Sequence, residues 1–353
     1  MVAFARSEII DQNEVGFYHC TSRCVRRAFL CGKDPLSGKN YGYRRDWILE
    51  RIKQLAGLQA VDVAFVAILS NHFHLILRNR PDLAGQWSDQ EVMRRAVASY
   101  PWKFKAYGGT GDGPTPKQLK QLANDHKLVA EMRKRLSSIS WFMRNLDQSI
   151  ARRANLEDEV RGHFWQERFH STPLLDEIAL LMCAVYVDLN EVRAGLADRP
   201  ETSQYTSGFA RIRGMKARRN RSANALQNDG WLSPLSLTDN DQPHYPLAGQ
   251  PASLRASDRG VLDMPLGEYL KILDFSGRQY SKGKRGNIPA SLPPILARLG
   301  LTPDAWFACV DQFEEVFGVA AGRADQVKQF NEGRGRKWTC GATRLESLLL
   351  DAN

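Results

Sequence analysis

Residues 60–79, AVDVAFVAILSNHFHLILRN, constrain the fold more than any other stretch of the chain. Two apolar runs, 60–69 and 72–78, flank a short turn at Ser70-Asn71, which predicts a pair of strands joined as a hairpin. Side chains alternate between faces along a strand. His72 and His74 therefore point one way, and Phe73, Leu75 and Leu77 the other. The whole chain of 353 residues holds seven histidines. Two of them at i and i+2 fit coincidence, a paired polar patch, or half of a metal site, since neutral imidazole is a common ligand of divalent ions.

The sequence around the hairpin extends the pattern. Residues 16–22 (GFYHCTS) alternate and predict a strand. Residues 43–57 place Trp47, Ile48, Ile52 and Leu55 at helical spacing, continued by Leu58, with Gly57 able to end the helix. The first eighty residues thus predict β-α-β-β. Residues 79–137 are turn-rich, with helical patches at 89–98 and 116–136, and predict a helical insertion. An amphipathic helix (138–153), a β-like stretch (162–174) and an apolar helix (175–190) follow. After Gly195 the chain turns polar: 207–223 is a basic run and 223–260 resembles a linker. In 261–353 the sequence predicts a small helical domain. One of its helices starts at Thr302 as N-cap with Pro303 behind it and stops near Gly318. The expected division is therefore 1–200, 201–260 and 261–353.

Composition sets the class of partner. The net charge is +10 and the isoelectric point is about 9.4, which suits a polyanion, nucleic acid above all, and also a merely solvated basic surface. The six cysteines form no CxxC pair, and Cys20, Cys24 and Cys31 have irregular spacing for zinc, so reduced thiols are expected. The charged start MVAFARSEIIDQNE does not read as a secretory leader. IALLMCAVYV, the longest apolar run, is about half a membrane span. No membrane association and a cytoplasmic location are expected.

A second constellation lies at 186–196, YVDLNEVRAGL. Tyr186 and Asn190 are one helical turn apart on one face. Either could be an ordinary core residue. Set across a sheet from the histidines, however, His72, His74 and Asn190 offer two nitrogens and one oxygen to Mg²⁺ or Mn²⁺, with Tyr186 beside the ion as a nucleophile.

These motifs, NHFHL and YVDLN.VRAGL, with SSISWFMRNLDQSIARRAN, GHFWQERFHS, LLDEIALL, LDFSGRQY and IPASLPPILARLGL, resemble the REP-associated tyrosine transposases of the HUH single-tyrosine superfamily. The resemblance spans most of the chain. It implies an α+β fold: a ferredoxin-like HUH core, an antiparallel sheet with helices on one face, carrying the helical insertion and the C-terminal helical domain. It also implies a metal-dependent endonuclease and strand transferase for single-stranded, hairpin-associated DNA, at home on the bacterial nucleoid. Tyr186 matches the nucleophile that forms a 5′-phosphotyrosine, and His72, His74 and Asn190 match the metal ligands. The family usually has proline after the asparagine. Glu191 stands here instead; its carboxylate could join the metal shell, but a solvated helix-end residue is the expectation. The insertion at 79–137, absent from the smallest relatives, leaves monomer and homodimer both open. For DNA, Arg23, Arg26 and Arg27 after the first strand could hold phosphates, as could Arg211, Arg213, Lys216, Arg218, Arg219 and Arg221 in the basic run. Phe164 and Trp165 could stack on bases or pack in the core, and GRGRKW (333–338) is a smaller basic patch. The competing reading is a DNA or RNA binder on the same scaffold, without chemistry.

Overall fold

A computed structural model describes residues 6–25, 31–33, 38–108, 111, 113–222, 225–236, 254–279, 302–317 and 319–334. Arg26, Arg27, the motif IPASLPPILARLGL up to Leu301, the stop at Gly318 and positions 335–338 of the second basic patch lie outside the described residues.

Strand β1 (Gly16–Arg23), helix α1 (Arg44–Leu58) and strands β2 (Val61–Ile68) and β3 (His72–Asn79) follow in the expected order. Helices α2 (Asp89–Ser99), α3 (Pro116–Ala123) and α4 (His126–Leu136) form the insertion. The single helical patch expected over 116–136 divides because Asp125 caps a new helix, its side chain accepting from Leu128 N–H at 3.0 Å. Helix α5 (Ile139–Glu157), strand β4 (His170–Leu174) and helix α6 (Glu177–Asp188) complete the first half. The strands form one antiparallel sheet in the order β2-β3-β1-β4. At the hairpin turn, Leu69 N–H donates to the His72 carbonyl at 2.9 Å. The protein is thus an α+β fold on a four-stranded antiparallel sheet.

Helices cover both faces of this sheet, not one as expected. The reason lies in the strands: every residue of β2 and all but the first of β3 are buried. Val66, Ile68, Phe73, Leu75 and Leu77 pack with Ile48, Ile52 and Leu55 of α1 and Phe142, Met143 and Leu146 of α5. Phe65, Ala67 and Ile76 face α6 instead. Each such side chain contributes roughly 1.5–3 kcal/mol when buried, so neither face can be left wet.

Helix α6 is buried from Ile178 to Asp188. An all-round apolar helix must be covered on every side. Its far side is closed by helix α8 (Leu266–Gln279) and helix α9 (Pro303–Asp311), once helix α7 (Ser207–Arg219) has docked at the sheet edge. Tyr269, Leu273, Trp306 and Phe313 share one core with α6. Val261, Leu262 and Met264 before α8, and Phe317 and Ala321 after α9, belong to the same core.

The basic run is a helix, not a loop. Thr206 bridges Ala67 of β2, and Val66 N–H donates to Ser207 Oγ at 3.1 Å. Its close approach to α6 requires Gly208: a Cβ there would lie 3.1 Å from Asp188 Oδ2 and 3.0 Å from Leu273. Gly208 N–H instead donates to Asp188 Oδ1 at 2.7 Å. Ser207 Oγ donates to the same oxygen, and Tyr269 Oη donates to Asp188 Oδ2 at 2.5 Å. One buried carboxylate thus ties α6, α7 and α8 together. Among the described residues, no helix is long and apolar enough to cross a membrane.

Candidate functional site

The sheet face that carries the paired histidines is the one α6 covers. In the register of β1 against β3, Thr21 stands opposite His74, and Arg23 opposite His72. His19, two residues before Thr21, shares that face. The His72 and His74 rings meet edge to face with centroids 4.9 Å apart. The His19 ring stacks on His74, centroids 5.2 Å apart and planes within 9°, and His19 Nε2 lies 3.0 Å from His74 Nδ1. His72 Nδ1 lies 2.5 Å from Asn71 Oδ1.

From the other side, α6 brings Tyr186 onto this group. Its ring is 5.6 Å from that of His74 and 6.2 Å from that of His19. Asn190, in the short helical turn Asn190–Arg193, is buried and donates Nδ2–H to the Tyr186 carbonyl at 3.0 Å. His72, His74 and Tyr186 therefore gather at one end of the sheet, and Asn190 is tied to the backbone of Tyr186. No family model, curated protein or solved structure matches the chain.

Burial governs the electrostatics. It pushes the His72 imidazole down to about 4, helped by the nearby Arg23 charge. It pushes His19 down to about 3 and His74 well below the usual range. All three rings are neutral at pH 7, the state in which imidazole ligates a metal. Burial also raises the Tyr186 hydroxyl, and the hydrogen-bonded Glu314 adds to the rise, while Arg193 opposes it. Phe313 stacks on the Tyr186 ring at 5.4 Å, and the Arg193 guanidinium sits 4.7 Å from its centre. Tyr186 is 5 % exposed as a result.

Two potential donor atoms lie here without a hydrogen-bond partner of their own or with one end free. His74 Nε2 is buried and has no hydrogen-bond partner, so its lone-pair or proton position is vacant. Asn190 spends its amide N–H on the backbone, which leaves its carbonyl oxygen as the acceptor end. Among the described residues, no group of three His, Cys, Asp or Glu side chains could hold a metal ion. A third ligand would have to be the Asn190 amide or an oxygen of the substrate.

The remaining predicted residues divide. Arg23 is exposed at the end of β1, opposite His72. Arg213, Lys216, Arg219 and Arg221 are exposed on or just after α7. Arg211 is not a surface residue: it is 3 % exposed and donates to the carbonyls of Ala64 and Ser233 at 2.8 and 3.1 Å. Arg218 is half-buried in a two-pronged pair with Asp229, both bonds 2.8 Å. Phe164 and Trp165 pack in the core, Trp165 against Phe73 with centroids 5.6 Å apart. Cys20, Cys24 and Cys31 are buried in the same core. Glu191 is not solvated either. It is 2 % exposed and lies 3.5 Å from Arg45, with burial raising its carboxyl.

Sequence reasoning missed His19, Phe313 and Glu314. The alternation in GFYHCTS does put His19 on one face with Thr21, but only the β1–β3 register says which residues it meets. Nothing local to 313–314 reports that this turn lands on Tyr186, more than a hundred residues earlier.

Proposed function

We propose that the chain is a metal-dependent single-stranded DNA nicking and joining enzyme with Tyr186 as nucleophile. The convergence of Tyr186 with the paired imidazoles carries this reading. The strand order β2-β3-β1-β4 and the β-α-β-β-α-β path support a ferredoxin-like HUH core. His72, His74 and Asn190 would hold Mg²⁺ or Mn²⁺, which when bound supplies charge stabilisation at the scissile phosphate. Tyr186 Oη attacks phosphorus and the bond to the 3′-oxygen breaks. Its proton passes to Glu314, the carboxylate that hydrogen-bonds the hydroxyl. The products are a 5′-phosphotyrosine and a 3′-hydroxyl, which takes its proton from water. A second 3′-hydroxyl reverses the step, so joining needs no ATP. Arg23 and the exposed cations of α7 supply phosphate contacts.

One observation favours the competing reading of a DNA or RNA binder without chemistry: Tyr186 is covered by Phe313. A denaturing gel separates the two. The protein is incubated with Mn²⁺ and a library of 3′-labelled single-stranded hairpins. An SDS-resistant labelled adduct, lost with EDTA and in Tyr186→Phe, is expected. DNA binding with no adduct, or an adduct that persists in Tyr186→Phe, overturns the proposal.

A further inference from the structure

We propose that His19 and Asn71 are positioning residues that hold both imidazoles of β3 in one tautomer, with the proton on Nδ1 and the lone pair on Nε2. The inference rests on the reading of His72 and His74 as cation ligands. It concerns two residues outside that ligand set.

The His72 side is decided by chemistry alone. An amide oxygen only accepts hydrogen bonds. With Asn71 Oδ1 at hydrogen-bond distance from His72 Nδ1, that nitrogen carries the proton. The Nε2 atom of His72 is then the lone-pair nitrogen. Asn71 is the hairpin-turn residue directly before His72, so the device is built into the turn itself.

The His74 side has two solutions, because either ring of the His19–His74 pair can donate. Were His19 the donor, the single proton of neutral His74 would sit on Nε2. That nitrogen is buried and has no acceptor. It would be an orphaned N–H, the rarer and costlier kind of unpaired group. With His74 as donor, its Nδ1–H is satisfied by His19 Nε2, and its Nε2 carries a lone pair that a cation can complete. Only this second solution matches the tautomer Asn71 imposes on His72. Ligating histidines almost always donate their other ring N–H to an acceptor, which fixes the ring and its tautomer.

His19 is suited to the task. It is 4 % exposed, stacked on His74, and touched edge-on by Tyr186 and Phe313, so its ring is confined. The two acceptors come from different places: a turn amide next in sequence, and a ring 55 residues away. Together they leave a lone pair on each Nε2, so that a cation can bind without moving a proton.

Two measurements on the full-length protein test this. The first is a long-range ¹H–¹⁵N correlation spectrum without added metal, with His72 and His74 assigned by single substitutions. Nδ1 protonation of both rings is expected, and Nε2 protonation of His74 overturns the proposal. The second is Mn²⁺ binding by paramagnetic resonance for His19→Gln, which retains an accepting oxygen, and His19→Leu, which does not. We expect Gln to stay within a few-fold of wild type and Leu to lose roughly 10–100-fold. Wild-type affinity in a folded His19→Leu overturns it. If the Leu variant does not fold, the wild-type spectrum decides. Nδ1 tautomers without any DNA adduct sustain this inference and defeat the strand-transfer reading. An adduct with His74 protonated on Nε2 does the reverse.

Discussion

Tyr186 meets His74 edge to face, with ring centroids 5.6 Å apart and planes at 88°. The two residues lie 112 positions apart and on different layers, one on a strand and one on the helix above it. The contact is held from outside the site. Asp188, two residues further along α6, is anchored to α7 and α8 by Ser207, Gly208 and Tyr269. The helix that carries Tyr186 onto His74 is thus anchored by a carboxylate that touches neither ring.

That anchor can be cut. Asp188→Ala leaves the Gly208 N–H and the hydroxyls of Ser207 and Tyr269 without their acceptor, and removes the carboxylate that most favours the charge of buried Arg211. A loss of about 3–5 kcal/mol is expected by chemical denaturation. Asp188→Asn keeps an accepting oxygen and is expected to lose clearly less.

Acid should weaken the fold through the imidazoles. The pKa values of His19 and His72 are depressed to about 3 and about 4, from about 6.5 in the unfolded chain. Below pH 6.5 the unfolded chain takes up protons that the folded chain refuses. Stability that is fully present above pH 6.5 is therefore lost as pH falls towards 4. Melting temperatures across pH 4–7 are expected to fall less in His72→Gln than in wild type.

Glu314→Gln should lower the Tyr186 pKa, because it removes the negative charge next to the hydroxyl. Burial, the larger cause, remains, so the value should stay above that of an exposed tyrosine. The difference in tyrosinate absorbance between Glu314→Gln and its Tyr186→Phe double variant reads this directly.

The cations of α7 should act in two ways. Replacing Arg213, Lys216, Arg219 and Arg221 by Gln is expected to weaken single-stranded DNA binding across sequences. Each lost phosphate contact should reduce the slope of log affinity against log salt by about 0.7. Arg211→Gln is expected to leave that slope unchanged and to lower stability, since its guanidinium is spent on the carbonyls of Ala64 and Ser233.

Local periodicity made the strands legible, and the hairpin with them: the alternation across 60–79 sets both the turn and the face of each histidine. The residues alone left the grouping of Tyr186 with His72 and His74 as one option beside ordinary core packing, and the resemblance of two separate motifs singled it out. Burial was not legible for charged residues. Arg211 and Glu191 look solvated in sequence, yet each is sunk where another element passes over it. The same holds for 207–219, whose basic composition conceals a helix packed on the sheet edge. A strand apolar on both faces did signal two covered faces, and that signal outweighs the expectation of helices on one side.

Both outer rails of the sheet are occupied. Along β2, Ile68 N–H reaches the Tyr205 carbonyl and the Val63 carbonyl accepts from Ser233. Along β4, Ala321 exchanges bonds with the backbone on either side of Leu174, next to Pro173, which has no N–H to offer. A second copy of the chain therefore finds these rungs already taken, and strand-to-strand self-association is blocked there. A strand from another molecule would first have to displace Tyr205, Ser233 or Ala321 from these positions.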